Sequence, residues 1–349
     1  MLSLTRRSLL LLGVLSGAPL LLCGCTDEDG PAEAERKKAD ADLPLRARAV
    51  ADTDRLLAGY DAVLAGPGVA QGDRLRVLRA EVAEHRAALA TGLPSGSPTA
   101  ATATPATPSA APTPVASVAE LAAAERTTAG ARLTDLTAAS PELAKLLAAV
   151  SASGALHAVV LGDSAPVTGP AAAPAPSPSP SPSATASASA STSPSATPRP
   201  AAETAALQTT LAAEHAAVYG YGVVGARQPA GPQRAEAQTC YLAHQAGRDA
   251  WQRLLHADGA TPAAAAPGYQ LPFPVADAAT AKQLAAHIEV QLTGVYAALV
   301  AAGSGELRQS AATALREAAL HARQWGAEQT ALPGLPAAGS ATTSPSPSA

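Results

Sequence analysis

The sequence predicts an all-α fold made of helical bundles, and three observations predict it. The non-repetitive blocks are rich in Ala and Leu with almost no β-branched alternation, a helical composition. Phe273 is the only Phe in 349 residues. Apolar residues recur at a period of 3.6 and not at a period of two. Two Pro/Ala/Ser/Thr-rich stretches, 92–114 and 162–200, hold too little apolar surface to bury a core and read as disordered linkers. Residues 333–349 share that composition and read as a disordered tail. The foldable material is therefore a first half, 40–161, interrupted by the 92–114 linker, and a second half, 201–332.

Each half divides into four helices. In the first half the pattern places them at 44–65, 73–90, 115–138 and 141–161. Pro141 behind Ser140 suits a capped helix start. In the second half they fall at 201–226, 232–256, 277–302 and 306–332, with Gly259 and Gly303 as stops. The segment from Thr261 to Pro274 is too proline-rich for a helix and forms a long middle connection. Four helices with one long middle connection is the layout of a ferritin-like bundle.

The two halves also look like a repeat. Thr53, Leu57 and Tyr60 have the spacing of Glu214, Val218 and Tyr221. Leu121-Ala-Ala resembles Leu284-Ala-Ala, and Ala155-Leu-His-Ala recurs as Ala319-Leu-His-Ala. His85 and His244 occupy the second helix of each half.

The first 24 residues read as an export signal. Thr5-Arg6-Arg7-Ser8-Leu9-Leu10 resembles a twin-arginine motif, and Leu9 to Leu22 is an apolar run shorter than the ~20 residues of a comfortable span. It ends in Leu22-Cys23-Gly24-Cys25, which resembles a lipobox with Cys25 as the lipidated residue. The expected mature chain is an exported lipoprotein, anchored through an acyl chain such as palmitate on Cys25 to the outer leaflet of the cytoplasmic membrane. Residues 25–39 then form a charged tether. The export machinery and a cell-wall or envelope protein are its expected partners.

Composition narrows the chemistry. Cleavage removes Arg6 and Arg7 from 24 basic residues and none of the 28 acidic ones, so the mature chain is acidic and unsuited to nucleic acid. Of three cysteines, Cys23 leaves with the signal and Cys25 takes the lipid, so Cys240 is a lone thiol and no disulfide framework exists. It reads as a small apolar packing residue. A Ser/His/Asp order, a Gly-rich phosphate loop and a CxxC pair are all missing, so hydrolase, nucleotide-binding and thiol-redox chemistry have no support.

One ionisable residue falls on or beside the apolar stripe of each second-half helix: Glu214, His244, Glu289 and His321. A charge on an apolar face is costly unless paired or metal-bound. His215, His287 and the Arg248-Asp249 pair fall away from the stripes and are expected at the surface. In the first half Thr53 replaces the first carboxylate, while His85, Glu125 and His157 remain on stripes as a residual polar core.

The run Glu214-His-Ala-Ala-Val-Tyr-Gly-Tyr-Gly222, then His244 with Arg248-Asp249, then Tyr269-Gln-Leu-Pro-Phe-Pro, resembles a ferritin-like domain of unknown function found in exported proteins of high-GC Gram-positive bacteria. The resemblance spans about 201–332 and implies a ferritin-like bundle without specifying an activity. Di-iron relatives place a Glu three residues before each of two histidines. Here Tyr241 and Ala318 stand there, so the resemblance does not extend to a dinuclear centre.

Three readings stay open. The first is a non-catalytic binding or scaffolding lipoprotein without cofactor. The second is a protein holding iron, manganese or zinc through Glu214, His244, Glu289 and His321. The third binds a small ligand in the bundle core near Tyr221, Tyr296 and Trp251.

Overall fold

The computed structural model describes residues 31–66, 71–94, 115, 117–167 and 199–336. The signal segment, Arg6, Arg7, Cys25 and most of both linkers lie outside them. Eight helices and no strand occur among the described residues: α1 (Pro31–Ala65), α2 (Gly72–Ala90), α3 (Val118–Asp135), α4 (Pro141–Val160), α5 (Ala201–Arg227), α6 (Pro232–Ala257), α7 (Ala278–Ala302) and α8 (Gly305–Gln324). The protein is all-α.

Local chemistry explains the boundaries. Ser117 accepts from the Glu120 amide and starts α3, and Ser140 accepts from the Leu143 amide ahead of Pro141 in α4. Asp277 and Thr280 form a reciprocal capping box at α7. Two expected bounds differ. Helix α1 starts at Pro31 and runs through the exposed Pro44, because the Ala-, Glu- and Lys-rich residues before it favour helix. Helix α8 stops at Gln324 and not near residue 332. Gly326, at φ +91°, reverses the chain, and the Ala327 amide closes back on the Ala322 carbonyl at 2.8 Å.

Within the first half α1 packs on α2 and α3, and α4 packs on α3 and α2. In the second, α5 packs on α6 and α7, and α7 on α8. The halves then meet through α4, which lies against α7 and α8. That position explains its sequence. Nearly every residue from Leu143 to Ala158 is buried, and a helix apolar all round belongs in a core. By length and composition α4 and α7 are also apolar enough to cross a membrane. One continuous core joins Leu143, Leu147 and Leu156 of α4 to Leu299, Leu307, Ala311 and Leu315 of α7 and α8.

Polar contacts reinforce that junction. Arg308 of α8 is buried and donates to Val300 and Gly303 at the end of α7 and to Leu136 and Ala139 at the end of α3. The irregular segment after α8 crosses to the first half. Gln329 Nε2 donates to Glu81 Oε2 at 2.7 Å, and the Ala331 carbonyl accepts from His85 Nε2 at 2.6 Å. Residues 333–335 of the expected tail are packed too, with Leu335 against the core.

Candidate functional site

The second half encloses a chain of alternating carboxylates and imidazoles. Glu214 enters from α5, His244 from α6, Glu289 from α7 and His321 from α8. His244 Nδ1 lies 2.9 Å from Glu214 Oε2, and its Nε2 lies 3.2 Å from Glu289 Oε1. His321 Nδ1 is 3.5 Å from the same Glu289 oxygen. Aromatic donors complete the set. Tyr221 donates to Glu289 Oε1 at 2.5 Å, and Tyr296 and Trp251 donate to Glu214 Oε1 at 2.6 and 3.2 Å. Gly247 admits Glu214 to the α6 backbone, since a Cβ there would stand 2.9 Å from Glu214 Oε1.

The four residues named from the sequence are thus brought together as a line and not around one point. Glu214 and Glu289 grip opposite nitrogens of the His244 ring, so both carboxylates cannot share an ion with it. Glu289 is fully buried at the centre of the group rather than at the stripe edge, and its Oε2 has no hydrogen-bond partner among the described residues.

Burial would strip the proton from His244, but Glu214 and Glu289 outweigh it and push its pKa up to about 9. Burial likewise works against an ionised Glu289, yet His244 and His321 hold its pKa down at about 2. His321 is raised by Glu289 against its own desolvation. Burial, joined by Glu289, raises the Tyr221 phenol and pushes the Cys240 thiol up to about 11. At neutral pH His244 is charged beside an ionised Glu289, with neutral phenols and a neutral thiol around them.

A cleft of about 890 Å³ opens onto this network between α6 and α8. Its walls are small: Ala243, Ala246, Gly247 and Ala250 on one side, Ser310, Thr313, Ala314 and Ala318 on the other. Small residues keep the gap between these helices unfilled. Glu306, Arg316 and Glu317 give the cleft charge, and Leu133 of the first half and Val167 beyond α4 complete its wall.

The first half carries a counterpart that is closed. Tyr60 donates to Glu125 Oε1 at 2.7 Å, as Tyr221 does to Glu289. His157 Nδ1 lies 2.9 Å from Glu125 Oε1, as His321 lies near Glu289. Thr53 accepts from Arg132 at 3.3 Å where Glu214 accepts from Tyr296. The repeated order is therefore also a repeated geometry. Glu81, not singled out by the sequence, seals it from α2 at 2.9 Å from His157 Nε2. Its carboxylate and that of Glu125 push His157 up to about 9 against complete burial, whereas burial and the His157 charge depress His85 to about 4.

One expectation is corrected. His215 is buried, with Nε2 3.3 Å from the Ala263 carbonyl, because the Thr261–Pro274 connection folds back over α5. Cys240 is buried in an apolar cluster with Val224, Ala237 and Trp325, as expected. It lies within 3.8 Å of Glu236 Oε1. The signal missed was Glu236-Cys240-His244, three reactive side chains at four-residue spacing on one helical face.

Residues 206–337 match the family described as a domain of unknown function (DUF4439). A solved structure of a conserved hypothetical protein, rv2844, from Mycobacterium tuberculosis is 39% identical over 36% of this chain and 96% of its own, with a TM-score of 0.35. No curated protein matches the chain.

Proposed function

We propose that the chain is an exported lipoprotein, held through Cys25 on the outer leaflet of the cytoplasmic membrane, whose paired ferritin-like bundles act by binding and not by catalysis. The observation that carries the binding reading is the α6/α8 cleft with the Glu214–His244–Glu289–His321 network at its floor. About 890 Å³ lies within the ~300–1,000 Å³ usual for small-ligand sites. The lining joins small apolar positions to polar and charged groups, which would orient a small polar ligand.

Two features favour binding over catalysis. A general base works best with a pKa near the ambient pH, and His244 stays protonated at neutral pH because two carboxylates flank it. Glu214, the other candidate base, is occupied by His244, Tyr296 and Trp251. The ferritin-like reading is supported by the helix neighbours in the first half and by the long connection between α6 and α7. The metal reading that used all four side chains is served less well, since they stand in a row.

The test is native mass spectrometry of the full chain extracted from membranes, beside Thr313→Trp, which fills the cleft. A retained small molecule that is lost in Thr313→Trp is the expected result. An empty protein with unchanged heat stability in both forms overturns the binding reading. Labelled palmitate should enter the wild type, and Cys25→Ala should lose the label and leave the membrane. A Cys25→Ala chain that stays labelled and membrane-bound overturns the anchor.

A further inference from the structure

We infer that Glu236, Cys240 and His321 form a binding site for a thiophilic divalent cation, best matched to zinc. One ligand atom from each lies within 4.8 Å of the other two. The set is distinct from the four-residue network above, sharing only His321, and it bridges α6 and α8 beside the cleft.

The geometry is near that of a coordinated ion. Zinc binds thiolate at about 2.3 Å and carboxylate at about 2.0–2.2 Å, which at a tetrahedral angle separates sulfur from oxygen by about 3.6 Å. Cys240 Sγ and Glu236 Oε1 are 3.8 Å apart. They sit four residues apart on α6, so one helical turn presents both donors to the same side. His321 supplies the third donor from the facing helix.

The surroundings are built for that role. Glu289 lies 3.5 Å from His321 Nδ1, the carboxylate-to-imidazole contact that fixes a proton on one nitrogen and leaves Nε2 for a metal. The indole Nε1 of Trp325 is buried and has no hydrogen-bond partner among the described residues. Trp325 and Cys240 pack in the same buried cluster. A metal-bound thiolate would give that orphaned donor its acceptor. Cys240 is fully buried, whereas Glu236 and His321 are only partly so, which leaves an approach for the ion from their side. The thiolate donor selects zinc or another soft ion over magnesium or calcium. Three protein donors leave a fourth position for water.

Binding is written as an exchange. The ion displaces to solvent the thiol proton of Cys240 and any proton carried on His321 Nε2, and the freed imidazole lone pair and the Glu236 carboxylate complete the site, with no change of oxidation state.

The experiment uses the full lipid-anchored chain in detergent, stripped with a chelator and titrated with Co²⁺ and then Zn²⁺. One Co²⁺ per chain with a sulfur-to-metal charge-transfer band, displaced by one equivalent of Zn²⁺, is expected. Cys240→Ser should abolish the band, and His321→Gln should weaken Zn²⁺ binding by at least about tenfold. Glu214→Gln should retain the band, because Glu214 does not touch this set. The wild-type band alone decides the matter if a variant fails to fold. Its absence overturns the site, as does Zn²⁺ affinity unchanged in a helical Cys240→Ser protein. Cys240→Ser should leave the cleft ligand sought under the proposed function bound, since Cys240 does not line the cleft.

Discussion

Arg308 offers the sharpest test of how the halves are held together. Its Nε donates to the carbonyls of Val300 and Gly303 at 3.1 and 2.8 Å, and its Nη1 to those of Leu136 and Ala139 at 3.1 and 2.7 Å. One guanidinium thus satisfies orphan carbonyls after α7 and after α3, and places positive charge at two helix C-termini. Burial lowers its pKa without threatening its charge at neutral pH. A charge-assisted hydrogen bond contributes about 1.5–3 kcal/mol, and a carbonyl left stranded costs about 1–3 kcal/mol. The four bonds share two nitrogens and do not add, so Arg308→Met should cost about 3–5 kcal/mol. With a urea slope of about 2–3 kcal/mol/M this lowers the midpoint by about 1–2.5 M. The assay has a built-in division, because both tryptophans, Trp251 and Trp325, belong to the second half. Fluorescence follows that half alone, whereas far-ultraviolet circular dichroism follows all eight helices. The two transitions should coincide in the wild type and separate in Arg308→Met. A midpoint shift below about 0.3 M with coincident transitions would refute the reasoning.

Three more outcomes are expected. A Cβ at Gly220 would meet Ile288 Cδ1 at 2.5 Å, so Gly220→Ala should cost about 1–3 kcal/mol and Ile288→Val should recover part of it; full additivity in denaturant melts would contradict the clash. Tyr296→Phe takes a donor from buried Glu214 and should cost about 1–3 kcal/mol, leaving the fold intact by circular dichroism; an unchanged melting temperature counts against the network. Stability should peak near pH 6–7: the depressed His85 contributes fully above its unfolded value of ~6.5 and loses that as pH falls through about 4, while the raised His157 contributes fully below ~6.5 and loses that as pH rises through about 9. Replacing His157 by Gln should shrink the alkaline loss, to which His244 also contributes, and an alkaline limb identical in both proteins would exclude the Glu81–His157–Glu125 cluster as a source.

Helix existence was legible because it depends on local spacing. Seven of the eight helices start within three residues of where Ala/Leu periodicity and caps place them, and α1 strays because a proline at an exposed position does not end an otherwise strong helix. The Ser117-x-x-Glu120 start of α3 was also present as a local signal. What the sequence could not show was which helices turn toward each other across the repeat. Nothing in Leu143 to Ala158 says that its second apolar side faces α7 and α8 rather than a membrane or a partner chain. The site was legible by face, since Glu214, His244, Glu289 and His321 lie on or beside inward stripes. Their order in space was not, because it depends on which nitrogen of His244 meets which carboxylate. Glu81 and Glu236 escaped notice for a common reason. Each lies four residues before a singled-out His or Cys on a mixed helical face, where charge ordinarily faces water.

The repeat explains why one half is open and the other closed. In the first half Glu81 of α2 reaches His157, and Gln329 and the Ala331 carbonyl cover the group from outside. In the second half the residue four before the α6 histidine is not a carboxylate but Cys240, too short to cross to α8. The cleft between α6 and α8 is lined by alanine, glycine, serine and threonine. That position also places a thiol beside Glu236 and His321. Putting a carboxylate back, Cys240→Glu, should therefore do two things at once. It should remove the cobalt charge-transfer band, and by pairing with His321 it should draw α8 toward α6 and reduce ligand retention. If ligand retention is untouched while the band disappears, the cleft owes its width to the small residues alone, and the thiol serves only the ion.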